Sequence, residues 1–73
     1  MEDLVQGVLG MFTELNSETL DLHTLFEAGG NDPAARERVF DVVALLVRGG
    51  FLEERGSDFY AITAKGRAAA ETR

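Results

Sequence analysis

The chain has 73 residues, 45% of them hydrophobic, with a formal net charge of −6 and no cysteine. A chain of this length buries only about 60% of its unfolded surface, which leaves material for one small domain over residues 1–73 and excludes a second core. The missing cysteines exclude a disulfide framework, a thiolate metal site and a cysteine nucleophile.

Charge is unevenly placed. Residues 1–32 carry seven acidic side chains and no Lys or Arg, whereas residues 33–73 carry seven basic and six acidic ones. The negative total disfavours a polyanionic partner, yet all positive charge lies in the second half. Met1-Glu2-Asp3 is acidic where a secretion signal is basic, and the longest apolar run, residues 42–47, is too short to cross a bilayer. The expectation is a cytoplasmic protein that does not enter a membrane.

A first helix is predicted over residues 3–15. Leu4, Val5, Val8, Leu9, Met11, Phe12 and Leu15 recur at helical spacing and cover an arc of roughly 160° at about 100° per residue. That arc is wider than one core contact needs. Either the helix sits deep in the core, or Val5, Leu9 and Phe12 meet a second subunit in a homodimer.

Residues 16–19 break the pattern, and Thr19-Leu20 fits a short strand. Asp21 is placed to cap a second helix with Leu22, Leu25 and Phe26 on its apolar face, and Gly29-Gly30 end it. Asp32 followed by Pro33 is a strong helix start, and Gly49-Gly50 mark a helix stop, so the third helix is predicted from Pro33 to Arg48. Its inward positions are Val39, Val42, Val43 and Leu46, with Phe40 and Val47 beside them. Ala34, Glu37, Arg38, Asp41, Ala44, Leu45 and Arg48 point outward.

Phe51-Leu52 and residues 59–62 read as two strands joined by the turn-forming Arg55-Gly56-Ser57-Asp58. Thr63 then opens a last helix over residues 64–71. Gly66 is out of place there, because a helical glycine costs about 1 kcal/mol against alanine, and close packing against the hairpin explains it.

Leu46, Gly49, Phe51-Leu52-Glu53, Tyr60, Ile62-Thr63 and Gly66 together resemble the pattern of winged helix-turn-helix proteins, including the MarR-like and PadR-like regulators. The match covers about half of the chain. The resemblance implies a mainly α protein with a small β-hairpin, in the order helix, strand, helix, helix, strand, strand, helix. It puts the helix-turn-helix at about 21–48, the wing hairpin at about 51–62 and the C-terminal helix at about 64–71.

It also implies a transcriptional regulator that binds double-stranded DNA through its third helix. Arg36 and Arg38 near the start of that helix, Arg55 in the wing and Lys65 in the last helix are then the DNA-binding candidates. The residues themselves temper this. The outward face of the third helix carries two acids and two bases, the wing holds one base against Asp58, and too few cations remain for more than weak, salt-dependent binding. The alternative is a winged helix used for protein–protein interaction without direct DNA binding, in which the acidic first and second helices meet a basic partner or the wide apolar faces meet a hydrophobic one.

No cofactor or metal is expected. His23 is the only histidine and has no second histidine or cysteine one turn away, Ser17 and Ser57 sit in turns, and the paired glycines lack the spacing of a phosphate loop. An enzyme is not expected.

Overall fold

The computed structural model describes residues 2–30 and 32–71. In chain order these form α1 (Glu2–Glu14), β1 (Thr19–Asp21), α2 (Leu22–Leu25), a 3-10 turn (Phe26–Ala28), α3 (Pro33–Arg48), β2 (Leu52–Glu54), β3 (Phe59–Ile62) and α4 (Ala64–Glu71). The protein is thus mainly helical, with one small antiparallel sheet.

The sheet order is β1-β3-β2. Leu20 stands opposite Tyr60, and Leu52 opposite Ile62, so these four side chains share one face. That face and the helices enclose the core, whose most buried members include Phe12, Leu9, Leu25, Val39, Val42 and Leu52.

Two helix ends use the same device. At the end of α3, Phe51 N–H donates to Leu46 O at 2.8 Å and Gly50 N–H to Val47 O at 3.1 Å, with Gly50 at φ 84°. This is the paired bonding of a Schellman cap, which needs a left-handed residue in the position Gly50 fills. At the end of α1, Ser17 N–H donates to Phe12 O at 2.9 Å and Asn16 N–H to Thr13 O at 3.1 Å. Here Asn16 takes the left-handed position, at φ 53°.

α3 begins as its sequence requires. Asp32 is extended and its carboxylate accepts from Ala35 N–H at 2.9 Å, with Pro33 at the first helical position. Val39, Val42, Val43 and Leu46 are buried, as expected, and so is Ala35.

Three expectations need correction. The second helix is shorter than read: α2 stops at Leu25 and a 3-10 turn carries the chain to Gly29. Asp21 occupies the N-cap position of α2, but its side chain bonds no backbone amide and instead accepts from the Thr24 hydroxyl at 2.6 Å. Finally, Leu15 lies past the end of α1 and is half exposed.

Candidate interaction surface

The bases singled out from the sequence do not form one cluster. Arg36 lies with its guanidinium carbon 5.4 Å from the centre of the Phe26 ring, a cation–π contact that ties it to the 3-10 turn. Arg55 Nε donates to Glu53 Oε1 at 2.9 Å, within the hairpin. Lys65 Nζ donates to Gly49 O at 2.9 Å and sits 4.7 Å from the centre of the Phe51 ring, so it neutralises the carbonyl end of α3. Arg38 is exposed and borders a hollow of about 280 Å³ with Asp3, Leu4 and Asp41. The Arg38–Asp41 ion pair that their spacing allows is not formed.

Three of the four candidate cations are therefore engaged inside the protein. Their partners are weak individually: an exposed ion pair such as Arg55–Glu53 is worth about 0.2–1 kcal/mol. A polyanion would still have to compete with each of them.

The residues expected at a subunit contact are placed differently. Leu9 and Phe12 are 1% and 0% exposed, because α1 packs against α3, α4 and the 3-10 turn together and spends its wide apolar arc there. Neither offers surface to a second copy, and only Val5 is half-buried. An interface through these three residues is not what α1 provides.

On the outward side of α3, Glu37, Asp41 and Arg48 project from the middle of the exposed arc, with Ala34, Arg38 and Ala44 around them. Phe40 and Leu45 are 52% and 50% exposed. Beside this face runs a groove of about 450 Å³ between α3 and the hairpin. Phe40, Val43, Val47 and Arg48 line it from the helix, and Glu54 and Tyr60 from the strands. Glu54 and Tyr60 belong to the hairpin register, where they stand opposite each other on β2 and β3. Burial is the chief cause holding the Tyr60 phenol above its ordinary pKa, helped by the Glu54 and Asp58 carboxylates.

This groove was not anticipated from the sequence. The one available signal was Phe40, an aromatic at the edge of the inward arc of α3, four residues before Ala44. What faces it depends on how the hairpin folds back.

Nothing in the structure gathers metal ligands: among the described residues no three His, Asp or Glu side chains come together. His23 is exposed and makes an edge contact with the Phe26 ring, 6.3 Å between centres. Among the described residues no helix is long and apolar enough to cross a membrane. No family model matches the chain, and no curated protein or solved structure is significantly similar to it.

Proposed function

We propose that this chain is a winged-helix domain that works as a protein-docking module, using the outward face of α3 and the groove beside the hairpin. The observation that carries this reading is the character of that face. Glu37 and Asp41 offset Arg38 and Arg48 there, which leaves the face without net positive charge, and half-exposed Phe40 and an apolar groove flank it. A helix seated in the major groove runs between phosphates, where a face without net positive charge gains little, while exposed aromatics suit a protein partner. The order of elements and the β1-β3-β2 sheet support the winged-helix reading of the fold.

The second reading, a small DNA-binding transcriptional regulator, draws support from the confinement of every Lys and Arg to the chain from Arg36 onward. In it, Arg36, Arg38, Arg55 and Lys65 contact duplex phosphates, and affinity falls steeply with salt.

Fluorescence anisotropy of labelled nonspecific duplex at low salt separates the two. Protein docking predicts no binding at high micromolar protein. Binding that weakens with salt and drops in Arg36→Ala/Arg38→Ala would sink the protein-docking reading.

A further inference from the structure

The groove between α3 and the hairpin has two walls of opposite charge. Arg48 borders it from the helix and Glu54 from β2, and neither side chain has an ion-pair partner among the described residues. Between them the lining is apolar. On the helix wall, Phe40, Ala44 and Arg48 succeed one another at four-residue steps, so the exposed ring stands about 12 Å along the helix from the cation.

Such a surface is complementary to itself. A two-fold contact between identical chains requires that every feature meet its complement on the same patch of the partner. Here the patch supplies both members of each pair: a projecting aromatic ring and an apolar groove, a cation and an anion on facing walls. We propose that the occupant of this groove is a second copy of the chain. Phe40 of each copy enters the groove of the other, and Arg48 of each lies against Glu54 of the other. This inference rests on the protein-docking reading above and names its partner.

Local charge, rather than net charge, favours a second copy over a wholly basic peptide. The chain as a whole attracts cations, with a net charge of −6, but the groove itself carries Arg48 together with Glu54, and a second copy offers an opposite charge to both. For two copies, the local pairs act at contact distance, while the net repulsion between chains is screened beyond about 8 Å at physiological ionic strength. Self-association therefore strengthens as salt rises from very low values to about 0.15 M, whereas docking of a basic peptide weakens.

The contact is modest in size. A standard interface takes about 800 Å² from each partner, close to the whole of a 30 × 27 Å face of this molecule. A groove-centred contact uses part of such a face, so the dimer is concentration-dependent.

Sedimentation equilibrium over a series from micromolar to millimolar protein tests this, with circular dichroism to verify folding of each variant. The expected result is a wild-type dimer that weakens in Phe40→Ser. Arg48→Glu and Glu54→Arg each weaken it by roughly tenfold, because a two-fold contact places every substitution at two symmetric pairs. An equimolar mixture of Arg48→Glu and Glu54→Arg chains then regains association as a heterodimer, since two acidic positions now face two basic ones. Wild-type monomer at all concentrations overturns the proposal. So does a dimer that is indifferent to all three substitutions, or a mixture that associates no better than its components. A monomer that ignores duplex DNA leaves the protein-docking reading standing with another occupant, whereas duplex binding removes that reading itself.

Discussion

Gly66 in α4 lies so close to Phe51 that a Cβ built on it would collide with the Phe51 carbonyl oxygen and approach Ile62 Cγ1 to 2.8 Å. The contact is braced by Thr63, whose Oγ1 accepts from Gly66 N–H at 3.0 Å and donates to Gly50 O at 2.7 Å. One threonine thus starts α4 and anchors it to the end of α3. Gly66→Ala should destabilise the protein by about 1–3 kcal/mol, because backbone overlap outweighs the roughly 1 kcal/mol gain in helix propensity. Urea unfolding measures it, and a more stable variant would contradict the close approach.

Asn16 closes α1 in a left-handed conformation that costs most residues about 1–2 kcal/mol. Asn16→Ala should lower stability by about 1 kcal/mol, and Asn16→Gly should leave it unchanged or raised. Thermal unfolding of the two variants tests the cap. Equal effects would mean that the backbone angle is not what position 16 supplies.

The Thr24 hydroxyl, donating to Asp21 Oδ1 at 2.6 Å, is the main cause that holds the Asp21 carboxyl below its ordinary pKa. A depressed folded-state value means that the interaction contributes above the unfolded carboxylate value, about 3.9, and is lost as pH falls through the folded one. In an NMR titration, Thr24→Val should bring the Asp21 midpoint up towards the ordinary range. An unmoved midpoint would remove Thr24 as the cause.

Tyr60 is the only tyrosine in a chain without tryptophan, so its ionisation can be followed directly by ultraviolet absorbance. Its midpoint should lie above the ordinary phenol value of about 10, since burial disfavours the phenolate. A raised folded-state value stabilises the fold fully below the unfolded value, and that stabilisation is lost as pH rises through the folded one. Tyr60→Phe should abolish this alkaline decline, and Glu54→Gln should lower the Tyr60 midpoint. A wild-type midpoint at the ordinary value would show a solvated phenol.

Much of the architecture was legible where local chemistry decides it. Asp32-Pro33 and Gly49-Gly50 mark the two ends of α3 because a side-chain cap, a preset φ and a left-handed glycine each act within a few residues. The oddity of Gly66 pointed to the hairpin for the same reason, since a glycine that weakens its own helix signals something outside it. Periodicity was less informative for α1, where a wide apolar arc is equally consistent with one deep core and with two partners. Only the packing of α1 against three elements at once assigns Leu9 and Phe12 to the interior.

The candidate site was the least legible part. Arg36, Arg55 and Lys65 look available as a list of bases, but Phe26, Glu53 and the carbonyl of Gly49 claim them through contacts made locally or across the fold. The groove needs Phe40 and Tyr60 on one surface, and that adjacency comes from the packing of α3 against the hairpin rather than from any motif around either residue.

The strand at the centre of the sheet is also the last to be made. Thr19 pairs with Ala61, and Leu52 with Ile62, so neither outer strand has anything to bond until the ribosome has delivered residues 59–62. Before that, Leu20 and Leu52 have no strand beside them. A chain that lacks residues 59–62 leaves both β1 and β2 without a ladder partner. A single four-residue segment thus joins the early and the late part of the chain into one sheet.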